Sequence, residues 1–186
     1  MGVLDKVIAA VTPDPSDEKM KEARAEARSA AGGSGWLAMI LDHHEQIEAC
    51  FEAVRAARSA AARRKAQKQL ALVLTAHSIA EEAVIYPAMA LGDQEGHSGK
   101  LYTEQSAAKV QMAALEDLDP MGQDYLDKLE HIRGAVAHHV YEEEGDYFMK
   151  LRKNADATTQ GKLTRRYREE FERYAQQVEI DRDTAT

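Results

Sequence analysis

Apolar residues fall three and four apart along nearly the whole chain, the period of helices with one face turned to a core. A short stripe of Val3, Leu4, Val7, Ile8 and Val11 ends at Thr12-Pro13-Asp14-Pro15. Ser16 is placed to cap a second, thinly apolar helix that runs to about Ala31, where Gly32-Gly33-Ser34-Gly35 breaks the chain. The first strong helix is expected from Trp36 to about Ala60. A second runs from the region of Ala61 to Arg64 as far as Met89, with Pro87 near its end, where a missing amide costs least. Residues 92–99 read as a loop and Leu101 to Leu118 as a third helix. Asp119-Pro120 has the form of a cap with proline at the first helical position, so a fourth helix is expected from there to about Arg152. Beyond Asn154 a fifth carries Leu163, Tyr167, Phe171, Tyr174 and Val178 on one face, suited to packing across the others or to self-association.

Polar residues interrupt these stripes at particular places. In His77-Ser-Ile-Ala-Glu81-Glu82 and in His139-Val-Tyr-Glu-Glu143-Glu144, a His and a Glu four apart share one helix face. Leu70, Val73 and Leu74 lead into the first pair; Tyr125, Leu129, Ile132 and Val136 lead into the second. A carboxylate on a buried stripe is costly unless something compensates it. On the first strong helix, the seam Leu37, Ile40, His44, Ile47, Phe51, Val54 includes His44, while the neighbouring seam Trp36, Ile40, His43, Ile47, Cys50 includes His43, and periodicity alone leaves both open. His44 precedes His77 by 33 residues and Gln105 precedes His139 by 34, so the chain contains a repeated helical hairpin. At about 1.5 Å of rise per residue, the matched spacing brings all four positions to a similar depth and weakly favours His44. The fold expected is all-α: an up-down-up-down four-helix bundle over 36–152, an N-terminal helical arm over 1–35, and a C-terminal helix and tail over 153–186.

Composition narrows the function classes. With 186 residues the chain is long enough for one domain with a substantial core. A net charge of −8 argues against a nucleic-acid partner, and the basic runs near Arg63 and Arg165 read as solvated helix faces balanced by acids. A lone Cys50 leaves no internal disulfide framework and fits a reducing compartment. No apolar run approaches the ~20 residues of a membrane span, and no basic-then-apolar leader begins the sequence, so a cytoplasmic protein is expected.

Imidazole and carboxylate without thiolate suit iron, manganese or zinc, and carboxylates from two helices can bridge a pair of ions. The segments Leu41-Asp-His-His44-Glu-Gln-Ile47, His77-Ser-Ile-Ala-Glu81-Glu82-Ala-Val-Ile-Tyr-Pro87 and His139-Val-Tyr-Glu-Glu143-Glu144-Gly-Asp-Tyr-Phe148 resemble the hemerythrin-like, or HHE cation-binding, domains. The resemblance spans about residues 36–152, supports His44 over His43, and implies a non-haem di-iron site. Glu81 and Glu143 would bridge the irons, with terminal histidines His44, His77 and His139. The third helix departs from the family pattern: Glu104-Gln105 stands where a Glu-His pair is usual, and Glu104 is expected to turn inward as the replacement ligand, with Glu48 as another possible substitute. The function expected is binding or reduction of a small oxidant (oxygen, peroxide or nitric oxide). An iron- or oxygen-sensing regulator and a metal-free interaction module are the alternatives, with a homodimer through the terminal helices as a possible assembly.

Overall fold

The computed structural model describes residues 15–92 and 95–184, the side chains of 95 and 176–184 excepted. Among the described residues there are helices and no strands. Helix α1 spans Asp17–Ala31 and α2 spans Trp36–Ala56. Helix α3 spans Ala60–Ala80 and passes through a π-helical turn, Glu81–Ile85, into Tyr86–Leu91. Helix α4 is Glu95–Ala114. Helix α5 is Gln123–Glu142, with a second π-helical turn at Glu143–Tyr147 and a last stretch Phe148–Asn154. Helix α6 is Ala157–Thr184. The stripe of residues 3–11 and the side chain of Val178 lie outside the described residues.

Local chemistry sets most of the boundaries. The Ser16 and Ser59 hydroxyls accept from the amides of Lys19 and Ala62 and cap α1 and α3. Gly32 closes α1 at φ 66°, a left-handed conformation that glycine adopts without penalty. Gly35 is needed for two reasons: its φ is 95°, and a Cβ there would stand 3.4 Å from Thr164 Oγ1. That close approach lets Thr164 Oγ1 accept from the Trp36 amide at 3.0 Å, while the Trp36 indole donates to Gln160 at 2.6 Å. These bonds seat α6 at the start of α2.

Two boundaries and one surface reading differ from the expectations. Helix α4 begins at Glu95 instead of Leu101; Gly96 and Gly99 are weak helix formers, but burial of Ser98 and Leu101 and the approach of His97 to the Tyr147 ring at 4.5 Å hold the extra turn. Helix α5 begins at Gln123, after Gly122, because Asp119 does not cap a helix. Its side chain accepts from Met121 and its carbonyl from Gly122, making a tight turn instead. The basic run at Arg63 is not a solvated face either. Arg63 is buried, and its guanidinium donates to the carbonyls of Val54, Ala57 and Pro120, while Arg64 donates to those of Leu115 and Leu118. These two side chains satisfy orphan carbonyls at the end of α2 and in the α4–α5 link.

The core has two apolar clusters. One gathers Trp36, Leu37, Leu41, Tyr86, Phe148 and Tyr167; the other gathers Ile47, Phe51, Leu70, Leu115, Tyr125 and Ile132. Each such side chain contributes about 1.5–3 kcal/mol on burial. Along α2, His44 falls between Leu41 of the first cluster and Ile47 of the second. Along α3, His77 falls between Leu74 and Ala80 in the same way. The polar residues singled out in the sequence therefore occupy the seam between the two clusters. Helix α6 packs on α2 and α3, and α1 packs on α2 and α5. No helix among the described residues is long and apolar enough to cross a membrane.

Candidate metal centre

Each His–Glu pair stands at the last α-helical turn before a π-helical turn. The amides of Tyr86 and Phe148 reach back five residues, to the carbonyls of Glu81 and Glu143. Widening the turn in this way brings residues five apart onto one face, so Tyr86 joins Glu81, and its phenol lies 3.3 Å from Glu81 Oε2. The same device follows Glu143 with Phe148, whose ring is fully buried.

The centre itself is dense in donor atoms. His44, His77, Glu81 and Glu143, all buried, offer ligand atoms within 4.8 Å of one another. His44 Nε2 is 3.4 Å from Glu143 Oε2 and 3.9 Å from Glu81 Oε1; His77 Nε2 is 3.2 Å from Glu81 Oε2. His139 Nε2 is 3.2 Å from Glu143 Oε1. His44 Nε2, Glu81 Oε1 and Glu143 Oε2 are buried with no hydrogen-bond partner among the described residues. Unpaired atoms of this kind are expensive in a protein interior unless they ligate something. Nitrogen and oxygen donors aimed at one buried point fit a first-row metal ion.

Behind the centre every imidazole is tied at its other nitrogen. His44 Nδ1 bonds Glu144 at 2.8 Å, His139 Nδ1 bonds Glu104 at 2.9 Å, and His77 Nδ1 bonds the Tyr167 hydroxyl at 3.1 Å. Such partners fix ring orientation and tautomer in metal sites. Glu144 is in turn held by Arg24 of α1, whose Nε donates to both carboxylate oxygens.

Of the six residues put forward as ligands, the structure brings His44, His77, Glu81 and Glu143 together, with His139 beside Glu143. Glu104 stands further out, half-buried, on the far nitrogen of His139 and within 3.4 Å of Lys100 Nζ. The reason is registry: α4 presents Gln105, not Glu104, to the interior, where its amide donates to Glu81 Oε2 at 2.7 Å. Glu48, the other suggested substitute, is exposed and paired with Arg24. His43 also lies outside the cluster, stacked 3.8 Å from the Phe171 ring and bonded to the Tyr167 hydroxyl at 2.9 Å. Two residues were missed from the sequence. Tyr86 donates to Glu143 Oε1 at 2.8 Å and lies 3.3 Å from His139 Nε2; it was visible as the aromatic five residues past Glu81. Tyr167 was visible only as a stripe residue of the fifth helix.

Proton distribution follows from the same contacts. Burial opposes charge on His44, yet Glu143 and Glu144 raise its pKa to about 9. Burial likewise opposes charge on His139, and Glu143 and Glu104 raise it well above the usual imidazole value. Burial, reinforced by the charge of His44, holds His77 neutral. Burial and then the negative charge of Glu143 push Glu81 upward, while His139 and His44 overcome the burial of Glu143 and hold it low. Charge on His44 and His139 thus offsets that of Glu143, and a metal ion binding at these nitrogens would displace the protons.

The sequence model of the Hemerythrin HHE cation binding domain matches residues 37–151. A protein named DNA nickase from Nostoc sp. (strain PCC 7120 / SAG 25.82 / UTEX 2576) is 35% identical over 81 residues, 44% of this chain and 23% of that protein. The chain therefore spans less than a quarter of that relative. No solved structure matches. Helices α1 and α6 both lie outside the matched residues.

Proposed function

The chain belongs to the hemerythrin HHE cation-binding domain family, and from that premise we propose that it carries a non-haem di-iron centre that binds or reduces a small oxidant. The observation that supports this reading is the convergence of His44, His77, Glu81 and Glu143, with His139 Nε2 beside Glu143 and buried unpaired atoms among them. In this reading α2 to α5 form an up-down-up-down bundle, His44, His77 and His139 are terminal ligands, and Glu81 and Glu143 bridge. Glu104 acts through His139, making its imidazole a stronger donor, instead of binding iron itself. Bound iron would supply the electrons and the open coordination position that oxygen, peroxide or nitric oxide requires.

The surroundings favour redox turnover or sensing over reversible oxygen carriage. Carboxylate partners on His44 and His139 make those ligands more basic, which stabilises the oxidised ion. Tyr86 holds a donor hydrogen on Glu143 and keeps water from pairing with it. A cleft of about 490 Å³ between α1, α2 and α5 is lined in part by His44 and Glu144, on the side of the ring away from Glu81 and Glu143. Manganese or zinc fits the same donors, though zinc would supply no electrons. DNA nicking is not carried over from the Nostoc protein, because the match covers 23% of it and a net charge of −8 disfavours a phosphate backbone. To test the reading, iron-loaded, reduced protein is mixed with oxygen, peroxide or nitric oxide and followed in the visible region. Rapid oxidation of the iron is expected; a long-lived, reversible oxygen adduct would contradict it.

A second reading rests on a specific observation: α1 and α6 touch the ligand histidines through Arg24–Glu144 and Tyr167. A sensor whose metal state is reported by its flanking helices would use such contacts. Iron loading should then protect α1 and α6 from limited proteolysis; identical digestion of loaded and iron-free protein removes this reading.

A further inference from the structure

We infer that Tyr167, on a helix outside the family domain, is a positioning residue for the metal centre: it sets the orientation and donor strength of His77 through the ring nitrogen that faces away from the ions. The inference rests on the di-iron reading above and adds a residue that the family match, 37–151, does not include.

The argument begins with the three imidazoles. Each points Nε2 at the centre and has its Nδ1 occupied, but the partners differ. His44 and His139 have carboxylates, Glu144 and Glu104, whereas His77 has the Tyr167 phenol. A metal on Nε2 leaves the imidazole proton on Nδ1, so His77 must donate to Tyr167 Oη. The phenol must then give its own proton elsewhere, and His43 Nδ1 is the acceptor, at 2.9 Å. The chain of donors runs one way, from His77 to Tyr167 to His43.

Tyr167 is also fixed in place. It is fully buried in the cluster that includes Trp36, and α6 is anchored to α2 by Thr164 and Gln160. The Phe171 ring, one turn on, stacks against His43 and holds the final acceptor. Since no carboxylate among the described residues pairs with His77 Nδ1, this ligand owes its tautomer and ring angle to the Tyr167 phenol of α6. A neutral acceptor strengthens the donor less than an anionic one, so His77 is the weakest donor of the three, and iron at this end is the easier to reduce.

The test compares wild-type, Tyr167→Phe and Phe171→Leu full-length chains, each loaded with ferrous iron without oxygen. Tyr167→Phe keeps the ring and removes the hydroxyl, leaving a buried Nδ1–H unpaired. Its iron affinity should fall about 10- to 100-fold, and its reduction potential should rise as His77 loses its acceptor. Phe171→Leu, which keeps the phenol and loosens only its acceptor His43, should shift both less than Tyr167→Phe does. Wild-type iron uptake with an unchanged affinity and potential in Tyr167→Phe would overturn this inference and leave the di-iron reading standing. No iron uptake by wild type would overturn both. If Tyr167→Phe fails to fold, nitrogen-edited NMR of zinc-loaded wild type decides: a slowly exchanging His77 Nδ1 proton close to the Tyr167 ring is expected, and its absence contradicts the assignment.

Discussion

The two helical hairpins of the bundle begin from the same plan and end differently. The first, α2 with α3, gives His44, His77 and Glu81 to the centre; the second, α4 with α5, gives Gln105, His139 and Glu143. Where the first hairpin supplies an imidazole from its leading helix, the second supplies an amide, and that amide bonds Glu81 of the opposite hairpin. Tyr86, also from the first hairpin, fills the space beside His139 and Glu143. The difference shows that a position in a repeated motif can change role without leaving the site. Gln105 stands where the family resemblance led to an imidazole being expected, and it donates a hydrogen bond to the buried Glu81 carboxylate instead.

The largest expected effect comes from removing one histidine from each half. His77→Ala removes a member of the four-residue cluster and should leave less than about one iron per chain, whereas His139→Ala leaves that cluster whole and should retain about one, both read by metal analysis after anaerobic loading. Equal loss in the two variants would break the comparison. Next in size, Arg63→Met should lower stability by about 3 kcal/mol in denaturant melts, because it strips the guanidinium from the carbonyls of Val54, Ala57 and Pro120, while iron content per folded chain stays the same. Gln105→His would give the second hairpin the imidazole it lacks; iron at that end should bind about tenfold tighter, and Gln105→Leu should show no such gain in the same titration. The smallest effect belongs to Tyr86→Phe, which removes one hydrogen bond to a charged carboxylate and should cost the iron-free protein about 1–2 kcal/mol of thermal stability.

Much of this arrangement was legible in the sequence, and the exceptions share a cause. Helical periodicity marked the seams, and the histidines and glutamates fell on them because a buried polar group interrupts an apolar stripe visibly. His44 was separated from His43 only weakly, since the two are one residue apart; in the structure Phe171 and Tyr167 of α6 occupy His43. The inward turn of Glu104 was inferred from charge, yet helix registry points Gln105 inward and leaves Glu104 behind His139. Both π-helical turns were invisible to a fixed period of 3.6, because a widened turn changes the period only locally. Arg63 read as a surface cation because its partners are backbone carbonyls, and these leave no trace in composition. Tyr167 and Arg24 reach the centre from helices whose own stripes carry no metal-ligand pattern.

The central claim is that the seam between the two core clusters holds a pair of irons, and the measurement that meets it most directly is iron stoichiometry with Mössbauer spectroscopy on the full chain. The account predicts about two irons per chain in the wild type, magnetically coupled when oxidised, and almost none in a Glu81→Ala/Glu143→Ala double variant that still folds. A wild-type chain that takes up no more iron than that double variant would contradict it.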